Sequence, residues 1–295
     1  MLKDKKSKCI LCDSEKNFIS FPYSITFNDS TFDHRFCKDC KCVFVDPIPS
    51  ENDFKKIYQN DNYHEEHYVS NDLVEYKKSA NLLAEFINPN QSSVLDYGCG
   101  YGHFLKTLSN VGFEAIGLEF DKGACIKAQE YSGCSVKHIS EFNYDNNKNF
   151  QAIHLGDVLE HLPNPRETLD QLIGVLNKKG IIFIEGPLEI NPSLVYWSSK
   201  LFGFIKKILV SKDQQGEPTH LIKVNERTQL DFILALDPRI ECLHWEVYET
   251  GWPYINNGFL RNIIAKIAIL LSGKKFFSMH MGNRFRGVFI VEENN

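Results

Sequence analysis

Long apolar runs are missing from this chain of 295 residues: no stretch approaches 18 uninterrupted apolar residues, which argues against a spanning helix. Cationic excess is missing as well. Asp and Glu number 38 against 33 Lys and Arg, a net charge of −5, and phosphate recognition rests on Lys and Arg, so no nucleic-acid partner is expected. The basic start, Met1 to Lys8, runs into Cys9-Ile-Leu-Cys12 rather than an apolar segment, so no secretion signal is expected. Repeats and low-complexity tracts are absent too. The nine cysteines are an odd number, and without an export signal they read as reduced thiols with a metal site, in the cytoplasm.

What is present falls into three regions. Residues 1–50 hold five cysteines and end in Asp46-Pro47-Ile48-Pro49, where two prolines stop regular structure. Residues 51–90 carry helix-like spacing at Leu73, Tyr76, Leu82, Leu83 and Phe86, and read as a helical connector. From residue 91 to 295, strands and helices alternate, which predicts an α/β domain built on a parallel sheet. The expected strands are 94–96, 115–118, 135–136, 152–155 and 180–184, with two late ones at 240–248 and 287–291. Two inserts, 187–224 and 250–283, interrupt the rhythm.

The most informative segment is Val94-Leu-Asp96-Tyr-Gly98-Cys-Gly100-Tyr-Gly102. Alternate glycines between a strand and a helix let the backbone turn sharply and come close to a ligand. Glu119 follows 21 residues after Gly98 at the end of the next strand, near the spacing at which an acid meets a nucleotide ribose. Gly98–Gly102 resembles the first motif of class I S-adenosylmethionine-dependent methyltransferases. Ile116-Gly-Leu-Glu119 resembles their second, and Ile153 to Pro163 their strand-four motif. The resemblance implies a Rossmann-like sheet flanked by helices. It places Asp96, Gly98, Gly100 and Gly102 at the aminoacid end of S-adenosylmethionine and Glu119 at its ribose. Phe120, Ser140 and Glu141 would meet the adenine, or are plain loop residues.

Methyl transfer needs an aligned nucleophile and a proton acceptor. Asp157, Glu160 and His161 would share one face if they opened a helix, and could then bind a divalent ion such as Mg²⁺. This segment resembles ubiquinone-pathway O-methyltransferases, in which the equivalent positions are implicated in metal binding. The alternative is a helix cap. His161 and His220 are the candidate bases.

Cys9-x-x-Cys12 and Cys37-x-x-Cys40, 24 residues apart, form two knuckles suited to one structural Zn²⁺. Cys42 competes with Cys40 for the fourth place. Eight Lys or Arg against seven Asp or Glu over residues 1–50 leave no basic face for RNA, although RNA methyltransferases also carry such ribbons. The continuation through Pro47 and Pro49 to Tyr58, Tyr63 and Tyr68 resembles sugar C-methyltransferases. Only 109 residues follow Gly186, too few for the long C-terminal domain of those enzymes. The expected function is therefore O-methylation of a small hydroxylated metabolite, a sugar or nucleotide sugar. The alternatives are a quinone- or lipid-directed O-methyltransferase and a zinc-ribbon RNA methyltransferase. The apolar, cationic inserts read as a lid over an anionic substrate, as a weak membrane-surface contact, or as core-packed helices.

Overall fold

The computed structural model describes residues 7–20, 24–58, 72–145, 149–209 and 214–293. Its main sheet is assembled from β5 (Ser93–Tyr97), β6 (Glu114–Glu119), β7 (Ser135–His138), β8 (Phe150–Gly156), β9 (Leu176–Pro187), β12 (Ile240–Tyr248) and β15 (Arg284–Val291). Their order is β12-β15-β9-β8-β5-β6-β7, parallel except for β15, which runs antiparallel to both neighbours. All seven strands expected from the sequence are there. Chain order reverses between β5 and β8, the switch point at which ligands bind beyond the carboxyl ends of such strands.

Both faces of the sheet are covered, which is why the central strands are apolar almost throughout. Leu95, Ile153, Leu155, Ile182 and Ile184 face one buried cluster, and Val94, Ala152, Ile181 and Phe183 face the other. The second face is covered by α2 (Asp72–Ala84) and α3 (His103–Val111), through Ala80, Leu83, Phe104, Leu105 and Leu108. Helix α4 (Lys122–Ser132) is capped by the Asp121 carboxylate, which accepts from the Ala124 amide at 2.7 Å. Pro165 opens α5 (Pro165–Ile173), and Asn225 caps α7 (Glu226–Leu234).

The front of the chain builds a second sheet. Strands β2 (Ile25–Phe27), β3 (Ser30–Cys37) and β4 (Val43–Asp46) are antiparallel, with β1 (Asn17–Ile19) beside β3, and α1 (Glu51–Tyr58) follows. Two more strands arrive from far along the chain. β10 (Gln214–Gln215) pairs with β2, and β11 (Ile222–Lys223) pairs with β4 through Ile222↔Phe44 and Lys223↔Val43. Phe32, Phe44 and Val45 join the same buried cluster as Leu95 and Leu155, so the two sheets share one core. The two inserts meet as α6 (Leu194–Leu209) and α8 (Phe259–Leu270), packed around Val195, Tyr254, Ala265 and Ala268, with a small hairpin β13 (Lys275–Phe276) and β14 (Met279–His280).

Candidate active site

The glycine loop lies between β5 and α3, and its three glycines all have left-handed φ, +75° at Gly98, +53° at Gly100 and +81° at Gly102. Space is as restrictive as torsion. A Cβ on Gly98 would come within 2.5 Å of the Val158 side chain, and one on Gly102 within 2.9 Å of the Ala128 carbonyl oxygen. The buried Glu119 carboxylate fixes the loop. It accepts from the Gly100 amide at 2.8 Å, from Phe120 at 2.7 Å and from Asp121 at 3.1 Å.

Asp96 is buried on β5. One of its oxygens meets His154 Nδ1 at 2.7 Å, and the other has no hydrogen-bond partner among the described residues. His154 Nε2 sits 3.4 Å from Glu185, which also accepts from Ser79 at 2.8 Å and Arg286 at 2.8 Å. Burial pushes the His154 imidazole down, but the Asp96 charge and hydrogen bond, with those of Glu185, more than offset it and raise its pKa to about 9. Glu185 in turn is pushed up by burial but held at about 2 by His154 and Arg286. Phe120, 43% exposed, stands beside His138 at the ends of β6 and β7. Ser140 and Glu141 follow in a 3₁₀ turn, where the Ser140 hydroxyl is 2.7 Å from His138 Nδ1. The loop, Glu119, Phe120, Ser140 and Glu141 thus occupy one end of the sheet.

The third motif departs from expectation. Asp157 has a left-handed φ of +54°, a single 3₁₀ turn covers Leu159–His161, and α5 starts only at Pro165. Asp157, Glu160 and His161 therefore do not share a helical face. Asp157 instead takes Arg284 on both oxygens, each at 2.7 Å. His220 replaces it in the cluster: the ligating atoms of Glu160, His161 and His220 lie within 4.8 Å of one another. His161 Nδ1 faces the Thr219 carbonyl at 2.8 Å, so that nitrogen donates, and the His161 and His220 rings meet edge to face at 4.8 Å.

The two imidazoles have opposite electrostatics. Burial, then His220, pushes His161 down to about 3. Burial also pushes His220 down, but Glu189 outweighs it and leaves its pKa raised. Glu189 lies 3.1 Å from His220 Nδ1 and 3.1 Å from Lys223, and sequence reasoning had missed it. Burial, then Asp157, lifts the Glu160 carboxyl to about 7. No local pattern marks Glu189; its role is visible only once β11 has brought His220 and Lys223 alongside.

The front thiols converge as their spacing implies. Cys9–Cys40 and Cys12–Cys37 are each 3.6 Å apart, and the sulfurs of all four lie within 4.8 Å of one another. Tetrahedral Zn–S bonds of about 2.3 Å put sulfurs ~3.8 Å apart, so the set fits zinc. Left-handed residues Asp13 and Lys41 turn the two knuckles. Cys42 is 3.4 Å from both Cys9 and Cys40 yet stands outside the four-sulfur group. Tyr63 and Tyr68 lie outside the described residues, and only the backbone of Tyr58 is described.

Residues 66–202 match the family model described as "Methyltransferase domain". The matched stretch carries the glycine loop, Glu119 and the third motif. The ubiquinone biosynthesis O-methyltransferase of Dictyostelium discoideum, a mitochondrial protein, is 26% identical over 128 residues, 38% of this chain and 39% of that one. The enzyme of the same name from Glaesserella parasuis serovar 5 is 24% identical over 102 residues, 31% of this chain and 43% of its own. The chain therefore spans about two fifths of the length of these curated relatives. In fold, the chain resembles the plantazolicin methyltransferase BpumL in complex with a monoazolic desmethylPZN analog and SAH. That likeness has a TM-score of 0.51 and 12% identity, covering 81% of this chain and 93% of the other. BamL with a triazolic analog and SAH also gives 0.51, at 15% identity over 81% and 94%.

Proposed function

We propose that the chain transfers a methyl group from S-adenosylmethionine to a hydroxyl of a small polar metabolite, a sugar or nucleotide sugar. The observation that carries the reading is the glycine cradle beside the unpartnered, buried oxygen of Asp96 in a methyltransferase domain. Both features fit a ligand that brings a close backbone contact and a hydrogen-bond donor. Asp96, Gly98, Gly100 and Gly102 would hold the aminoacid end, Glu119 the ribose, and Phe120, Ser140 and Glu141 the adenine. When bound, S-adenosylmethionine supplies an electrophilic methyl on a sulfonium.

The chain's own task is to orient the acceptor hydroxyl and take its proton. His220 is the better base. Its Nδ1 faces Glu189, which leaves Nε2 to accept, whereas burial keeps His161 from taking up a second proton at neutral pH. Glu189 is a positioning residue. The limb of kcat/KM that reports His220 should lie above its ordinary value of 6.5, and Glu189→Gln should move that limb to lower pH. One carboxylate and two imidazoles suit Mg²⁺ poorly, because that ion takes oxygen ligands, so no step is assigned to it. Four thiolates suit Zn²⁺, with Cys9, Cys12, Cys37 and Cys40 as structural ligands, and free thiols throughout suit a reducing cytoplasm.

A second reading, a quinone- or lipid-directed O-methyltransferase, is supported by the names of the two curated relatives. Labelled methyl transfer to a panel of nucleotide sugars and hydroxylated quinones separates the two. Transfer to a nucleotide sugar, lost in His220→Ala, supports the first reading; transfer confined to quinones supports the second.

A further inference from the structure

The helix pair made by the two inserts turns apolar residues outward. On α6, Leu201, Phe204 and Ile208 are 58%, 57% and 68% exposed, and on α8, Leu260, Ile263 and Ile267 are 62%, 38% and 44% exposed. Both triplets have the same spacing, three then four residues, so each forms one helical stripe. The buried side of the pair is filled by its own small cluster, and the stripes are not part of it. Contiguous exposed apolar surface of this kind marks a contact site.

Charge says what kind of contact. Residues 194–209 and 250–283 hold seven Lys or Arg and no Asp or Glu, in a chain whose acids outnumber its Lys and Arg by 38 to 33. Exposed Lys200, Arg261 and Lys266 flank the stripes. Trp252, 67% exposed, and Phe277, 91% exposed at the hairpin turn, add aromatic residues of the type that settles at a water–lipid boundary. A two-fold contact with a second copy would set these cations against one another, whereas an anionic surface neutralises them. No helix among the described residues is long and apolar enough to cross a membrane, so the pair would lie on a surface rather than span it.

We propose that α6 and α8 form an interfacial docking surface for an anionic lipid bilayer. The pair is firmly tied to the body of the molecule. Buried Asn191 donates to the His280 and Gly282 carbonyls at 2.8 and 2.9 Å and accepts from the Glu226 amide at 3.0 Å. Asn191 is two residues beyond Glu189, so the anchor of the pair and the partner of His220 belong to one segment. The docking surface itself does not depend on the methyl-transfer reading, because its test needs no catalysis.

The full chain is sedimented with vesicles of phosphatidylcholine alone and of phosphatidylcholine with phosphatidylserine. Binding is expected on the anionic vesicles and should weaken with salt. The exposed double substitution Phe204→Gln with Leu260→Gln should reduce the partition coefficient by at least ~10-fold. Arg261→Glu with Lys266→Glu should remove the preference for anionic lipid, since each cation near such a surface contributes a factor of ~5. An unchanged melting temperature would show that both variants stay folded. No retention on anionic vesicles, or retention that the double apolar substitution leaves intact, would overturn the proposal. So would a light-scattering mass that doubles in lipid-free solution and reverts in the Phe204/Leu260 variant, because the surface would then belong to a second copy.

Discussion

At Gly98 the backbone torsion and the nearness of Val158 act together. An alanine there meets a side chain 2.5 Å away at a φ of +75°, so Gly98→Ala should shift the loop, destabilise the chain by about 1–2 kcal/mol and weaken cofactor binding. Denaturant unfolding and calorimetry check the two effects. His154 makes a prediction in pH. Its folded pKa of about 9 exceeds its ordinary 6.5, so its contribution to stability is complete below 6.5 and is lost as pH rises through 9. Glu185, at about 2 against 4.5, contributes above 4.5 and loses its share as pH falls through 2. The wild-type chain should therefore lose about 2 kcal/mol between pH 6.5 and 9 that a His154→Asn variant does not lose, read from urea unfolding at both pH values. The glycine loop and Glu119 were legible in the sequence because torsion and spacing are local properties. The pairing of Asp157 with Arg284, 127 residues apart, was not.

Elements show the same division. Strands β5, β6, β8 and β9 announce themselves as apolar runs because both faces of their sheet are buried. β10 and β11, two residues each, carry no pattern of their own and exist only because β2 and β4 offer them an edge. That edge has a consequence. β4 follows directly on the second thiol knuckle, and β11 follows His220, with the Leu221 amide donating to the Glu160 carbonyl at 2.7 Å. Stripping zinc with a chelator should lower the melting temperature and also depress methyl transfer, although the thiols touch no reacting atom. A chelated chain with full activity would contradict the coupling. Arg286 on β15 joins three elements, meeting Glu75, Glu185 and Glu246 at 3.3, 2.8 and 3.3 Å. Arg286→Met leaves Glu185 buried with less compensation and should cost about 3–5 kcal/mol in denaturant unfolding.

As a whole molecule the chain joins a thiol-knuckle sheet to a seven-stranded α/β sheet through one continuous core, with the inserts serving both. One insert completes the front sheet and brings His220 to Glu160 and His161. The two together raise an apolar, cationic helix pair. If this body holds S-adenosylmethionine at the glycine loop, as proposed, calorimetric titration of the zinc-replete chain detects it. Saturable one-site binding of S-adenosylmethionine and S-adenosylhomocysteine, lost in a Glu119→Ala variant that still unfolds cooperatively, is the expected result. No binding of either ligand by folded, zinc-loaded protein would contradict it.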